Sequence, residues 1–100
     1  MILEELQKRQ IESLKAHDSF RLGVIRYLIS QIKYKEIELR PQQLPLTDEI
    51  VVKVLQKESK KRTEVIEQFR GAGRMDLVDK ETNELAIVKE YLDEFSTNNV

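Results

Sequence analysis

The strongest constraint on this chain is where its helix breakers fall. It has two prolines and three glycines in 100 residues. Four of these five sit in two clusters, Pro41 with Pro45 and Gly71 with Gly73, while Gly23 stands alone. Between the clusters, apolar residues recur with a period of about 3.6 and never alternate for long. That pattern predicts an all-α chain. A first helix is expected over roughly 2–16, with Ile2, Leu3, Leu6 and Leu14 on one side. His17, Asp18 and Ser19 form a corner, since Asp and Ser cap a following helix well. A second helix runs to about Leu39, with Leu22, Ile25, Leu28, Ile29 and Ile32 sharing a face. It stops before Pro41, because the residue preceding a proline avoids the helical region.

Residues 40–46 then read as a loop. Thr47 is a good N-cap for a third helix, Asp48 and Glu49 suit its first turn, and Leu46 and Val51 occupy hydrophobic-staple positions. This helix is expected to reach about Arg70, with Gly71 as the left-handed residue after it. A fourth runs from roughly Arg74 to Phe95, and residues 96–100 should fray. The breaks near 17–19, 41–46 and 71–74 are short, which favours antiparallel neighbours. The expected architecture is an up-and-down bundle of about four helices, a single domain over residues 1–95.

Composition mostly excludes. There is no cysteine and one histidine, so disulfides, thiolate chemistry and multi-histidine metal sites are out. No apolar run approaches the ~18 residues a membrane span needs, and the N-terminus lacks a signal-peptide stretch. A reducing, cytoplasmic setting is expected, with no membrane partner, cofactor or metal. Seventeen basic and 18 acidic residues give a net charge of −1, so global electrostatics alone do not draw the chain to nucleic acid. The sign is uneven, though: residues 75–100 carry 2 basic and 7 acidic groups.

Projecting each helix at 100° per residue exposes an anomaly. On the third helix, Glu58 and Arg62 fall inside the stripe of Val51, Val54, Leu55, Val65, Ile66 and Phe69. On the second, Glu36 falls within the extended apolar face and Arg21 at its edge. On the fourth, Glu81 lies between Leu77 and Leu85, with Glu84 flanking. Burying an unpaired charge is costly, so these groups should pair or reach water. Arg62 is the natural hub, because its planar fork can hold two carboxylates. Glu58 precedes it by four residues, the favourable order for an intrahelical pair. Three readings follow: a structural polar layer that sets register, a polar cleft that binds a ligand, or an acid–base or metal set. No nucleophile or orienting histidine supports the last, and no catalytic residue is assigned.

On the outward side of the third helix lie Lys53, Lys57, Lys60 and Lys61. Residues 53–62 carry five basic groups against one acidic. They form either a solvated face or a docking surface for a phosphate backbone. The nearby aromatics are Tyr27 and Tyr34. Such scarcity argues for backbone or shape contact with structured RNA over single-strand reading.

Three segments carry a resemblance: residues 20–38, residues 46–69 and, above all, AGRMDLVDKETNELAIVKEYL at 72–92. Together the chain resembles the YqeY family, which is similar to the tail domain of the B subunit of tRNA-dependent amidotransferases (GatB). The resemblance spans almost the whole chain. It implies an N-terminal helical bundle, tRNA or an amidotransferase-related protein as partner, and association with carbon–nitrogen ligases that use glutamine as amide donor. Positions matching the family pattern include Arg26, Lys33, Glu36, Lys60, Arg62, Gly73, Arg74, Asp76, Leu77 and Glu81. Family members usually continue past Tyr-Leu-Pro into a smaller C-terminal domain. Here Tyr91-Leu92 is followed by Asp93 and the sequence stops at Val100, so that domain is expected to be absent.

Glu36, Glu58, Arg62, Arg74 and Glu81 are therefore the candidate polar cluster. Lys53, Lys57, Lys60 and Lys61 are the candidate RNA contacts. The expected function is a tRNA-associated accessory module. The alternative is a protein-interaction module without RNA, and an enzyme acting alone is disfavoured by the missing nucleophile constellation.

Overall fold

The computed structural model describes residues 1–97, with side chains through Ser96. Four helices follow in order: α1 (Ile2–Lys15), α2 (Ser19–Leu39), α3 (Asp48–Gly71) and α4 (Met75–Thr97), with a 3₁₀ turn at Arg40–Gln42 after α2. No strand occurs among the described residues. The chain is an all-α, up-and-down helical bundle.

The caps act where the sequence places them. The Asp18 carboxylate accepts from the Arg21 N–H at 3.0 Å, and Thr47 Oγ1 accepts from the Ile50 N–H at 3.3 Å. Each satisfies one of the donors that a helix start leaves open. Leu46, one half of the staple, packs on the main core.

Three local expectations are corrected. α3 continues through Gly71, and the left-handed residue is Gly73 at φ 73°. The segment after Leu39 is no open loop at first. Pro41 sits in the 3₁₀ turn, which ends on Gln43 at φ 56°. At the other end, α4 runs through Thr97, two residues past the expected end at Phe95. Residues 98–100, also placed in the frayed tail, lie outside the described residues. His17 closes the first corner at φ 57°, a conformation with a steric cost for any residue but glycine.

α1 pairs with α2, and α3 packs against α4 along most of its length as an antiparallel hairpin. α2 lies across that hairpin. Near its start Arg21 reaches Glu90 and Tyr91 of α4, midway Tyr27 faces Arg62 of α3, and at its end Leu39 lines a groove with Ile50. The Ile2 N–H donates to Asp48 Oδ1 at 3.0 Å, tying the start of α1 to the first turn of α3.

The core is in two pieces. The larger draws Leu6 from α1, Ile25, Leu28 and Ile32 from α2, Val51 and Leu55 from α3, and Val88 and Tyr91 from α4. The smaller contains only hairpin residues, Ile66, Val78 and Leu85 with Phe69 against them. Burial of this kind is worth roughly 1.5–3 kcal/mol for each large side chain. Leu14 is an exception to the expected α1 stripe. It is exposed, while Ser13 is buried. The inward line of α1 runs 2–6–9–13, and Leu14 lies about a quarter-turn off it at 100° per residue.

Candidate functional site

Between the two apolar clusters, α3 and α4 contribute charged residues. Glu58 and Arg62 are 6% and 9% exposed. Arg62 Nη1 donates to Glu81 Oε2 at 3.2 Å and also to Glu84. The Arg62 guanidinium stands 5.3 Å over the Tyr27 ring, close enough for a cation–π contact from α2. One guanidinium thus joins three helices. Two features remain unsatisfied. Arg62 Nε is buried with no acceptor, and Glu58 makes no hydrogen bond or ion pair among the described residues.

Two grooves meet at Glu58. The first, of about 510 Å³, runs between the start of α2 (Phe20, Gly23, Tyr27) and the hairpin (Arg62, Glu81, Glu84), with Lys61 and Lys80 also lining it. The second, of about 520 Å³, lies between the end of α2 and the first half of α3. It is lined by Lys35, Lys53, Lys57 and Lys61. Glu58 and Lys61 belong to both.

Of the five residues expected in the polar cluster, Glu58, Arg62 and Glu81 are brought together and two stand apart. Glu36 is half-exposed and turns back to Arg40 at 3.7 Å. Its phase on α2 is inward, but the charged layer lies level with Tyr27. Nine residues further on is about 13 Å along the axis, beyond side-chain reach. Arg74 is exposed at the hairpin corner, where it donates to both oxygens of Asp76 at 3.2 and 3.1 Å. Those bonds hold the Asp76 carboxyl below its ordinary value and the Arg74 guanidinium above its own. The intrahelical Glu58–Arg62 pair does not form. Arg62 turns instead to the two carboxylates that α4 presents.

All four expected lysines are exposed, and none forms an ion pair among the described residues. Lys53, Lys57 and Lys61 line the second groove and Lys60 does not. Lys35, which joins them, escaped the sequence reading because only the packing of α2 on α3 brings it there. It also pairs with Glu38 at 3.4 Å. Tyr34 is exposed, whereas Tyr27 is half-buried and occupied by Arg62.

A second polar junction forms around Arg21, expected at the edge of the α2 apolar face, with partners the sequence does not single out. Arg21 donates to Tyr91 Oη at 2.9 Å and to Glu90 at 3.1 Å, while Arg9 pairs with Glu94. These bonds raise the pKa of both guanidiniums: for Arg21 the Tyr91 bond is the main cause, for Arg9 the Glu94 bond. Both guanidinium carbons lie over the Tyr91 ring, at 5.7 Å for Arg21 and 6.0 Å for Arg9 from its centre. No group of three or more His, Cys, Asp or Glu among the described residues is arranged to hold a metal ion. No described helix is long and apolar enough to cross a membrane.

Comparison with known proteins gives a near-complete match. The profile of a family described as Yqey-like protein covers residues 3–99. An uncharacterized protein of Schizosaccharomyces pombe is 32% identical over 93 residues, which is 93% of this chain and 73% of that one. A Lachancea thermotolerans protein named altered inheritance of mitochondria protein 41, mitochondrial, is 38% identical over 87% of this chain and 46% of its own length. Its namesake in Kluyveromyces lactis is 37% identical over 80% of this chain and 42% of its own. The chain therefore spans less than half of these two mitochondrial relatives.

Proposed function

The chain belongs to the Yqey-like protein family, and from that premise we propose that it is a binding module for the phosphate backbone of structured RNA, tRNA above all. It would act as an accessory in the manner of the amidotransferase B-subunit tail that the family resembles. The observation that carries this reading is the α2–α3 groove. Lys53, Lys57 and Lys61 line it with unpaired ammonium groups, and Lys35, paired with Glu38, adds a fourth positive charge. A protein near electroneutrality has no reason to concentrate like charges, since each i,i+4 lysine pair costs roughly 0.2–0.5 kcal/mol unless a polyanion answers it. A run of three lysines at four-residue spacing covers about 12 Å, a stretch that meets a few successive phosphates. Base stacking plays little part, because Tyr27 is already taken by Arg62.

The reading assigns binding to this chain and leaves carbon–nitrogen bond chemistry to the protein it would accompany. The cytoplasm suits it, and so does the mitochondrion that two relatives carry in their names, because both hold tRNA. A filter-binding titration with tRNA at low salt tests it. Lys53, Lys57 and Lys61 changed together to Glu should weaken binding by about tenfold or more. Wild type binding no better than the triple variant would end the proposal. Recovery of a protein partner that survives nuclease treatment would favour the protein-interaction alternative in its place.

A further inference from the structure

The groove on the other side of Glu58 holds features that RNA binding does not use. Glu58 lines this groove, is 6% exposed as a residue, and has no hydrogen-bond donor or ion-pair partner among the described residues, so no fixed cation answers its charge. The adjoining charged layer does not neutralise it. Glu58, Glu81 and Glu84 share one guanidinium, and that guanidinium serves the latter two. The floor is thus short of a cation. A second observation comes from α2. Gly23 lines the same groove, and a Cβ built there would meet nothing within 4 Å. A glycine within a helix normally has a packing or turn-forming reason. Gly23 has no neighbour that needs its space, and its backbone is not left-handed. The absent side chain instead leaves room in the groove. Lys61 and Lys80 also line the groove and are exposed, so the rim is basic where the floor is acidic.

We propose that this groove binds an amphoteric ligand of amino-acid size: a guanidinium or primary ammonium head that pairs with Glu58, and a carboxylate tail that meets Lys61 and Lys80. The shape agrees with the charge. About 510 Å³ is ample for such a molecule, and Phe20, Val24 and Val65 supply apolar wall for its methylene stem. The rim lysines do not oppose the head group strongly, because they are solvated and their repulsion is screened.

The test is an amide-shift NMR titration of the full chain with free L-arginine, read at the Gly23 N–H. A saturable shift is expected. Citrulline, which keeps the α-ammonium and carboxylate but carries a neutral ureido group in place of the guanidinium at the end of its stem, should produce none, and agmatine, which lacks the carboxylate, should bind several-fold more weakly. Glu58→Gln should weaken arginine binding by about tenfold or more, the loss of one charge-assisted contact. Gly23→Leu should block it by filling the groove, and because it points into open space it should fold with at least wild-type stability. That variant keeps the test decisive if Glu58→Gln fails to fold. An absent or non-saturable arginine shift, or equal binding by wild type and Gly23→Leu, would overturn the site. Agmatine binding as tightly as arginine would overturn the role given to the rim lysines. Arginine binding that persists in a Lys53, Lys57 double-Glu variant while tRNA binding is lost would separate this site from the RNA surface.

Discussion

Glu58 and Arg62 lie one turn apart on the same face of α3, both nearly excluded from water, and do not pair. A carboxylate four residues ahead of an arginine is the favoured arrangement on an isolated helix. Here α4 offers two carboxylates at the same level, and the guanidinium turns to them while lying over Tyr27. An intrahelical pair is worth a few tenths of a kcal/mol, whereas charge-assisted bonds in a half-buried setting contribute roughly 1.5–3 kcal/mol. The consequence is a fixed register between α3 and α4. Arg62→Met should destabilise the protein by about 2–4 kcal/mol in urea unfolding, since Glu81 and Glu84 are left facing each other without a cation. Replacing Arg62, Glu81 and Glu84 together with apolar residues should recover most of that loss. A single variant as stable as wild type would show that the layer does not hold the hairpin.

The second junction is tested at Tyr91. The residue is 1% exposed, yet its hydroxyl accepts from Arg21 and the guanidiniums of Arg9 and Arg21 lie over its ring. Tyr91→Phe should cost about 1 kcal/mol through the lost hydrogen bond while keeping the ring contacts. Arg21→Ala should cost a similar amount. In a double-mutant cycle the two should couple by about 0.5 kcal/mol or more. Independent effects would mean that Arg21 serves only Glu90.

The two glycines at the end of α3 should respond in opposite directions. Gly73 is left-handed at φ 73°, so Gly73→Ala should cost about 1–2 kcal/mol. Gly71 is the last residue of α3, with open space at its Cβ position, so Gly71→Ala should stabilise by roughly 0.5 kcal/mol. Thermal melts of both variants decide the point, and a reversed order would return the turn to Gly71. The break itself was legible in the sequence, because two glycines in three residues punctuate any helix. Which of them takes the left-handed position was not, because either supplies the same freedom and the difference lies in how many turns α3 keeps.

The same division runs through the site. Helical phase placed Glu58, Arg62 and Glu81 inward, because a 3.6-residue period is a property of one helix at a time. It also placed Glu36 inward, and that residue does face the apolar side of α2 by phase. Depth along the axis is a property of two helices together, and at the level of Glu36 there is no arginine of α3 to meet. Lys35 was overlooked for the converse reason. It sits on a different helix from the other lysines, and only the lie of α2 across α3 makes it their neighbour.

Acid should loosen the corner between α3 and α4. Arg74 holds the Asp76 carboxyl below its ordinary value of 3.8, with the Leu77 N–H at the start of α4 adding to the effect. The folded value is thus lower than the unfolded one. The contribution is fully present above about pH 4, and it disappears as the pH falls through the folded value. A carboxyl carbon NMR titration should give Asp76 a depressed midpoint in wild type and a near-ordinary one in Arg74→Gln. Both residues are exposed, so the effect on global stability should be small and screened by salt. An unchanged Asp76 midpoint in the variant would show that the helix start alone sets it.

The last prediction separates groove lysines from a merely basic surface. If binding of tRNA proceeds through the α2–α3 groove, each contacting ammonium displaces counterions from one phosphate. The plot of log affinity against log salt should then lose roughly 0.7–0.9 of slope for every such lysine changed to Ala. Lys53, Lys57 and Lys61 line the groove, whereas Lys60 sits outside it. Removing Lys57 should therefore flatten the salt dependence, and removing Lys60 should leave it nearly unchanged. Net charge falls by the same amount in both variants, so a diffuse electrostatic attraction would flatten both slopes equally. Equal slopes would assign any RNA binding to the general basicity of α3, and the groove would lose its claim to the phosphate backbone.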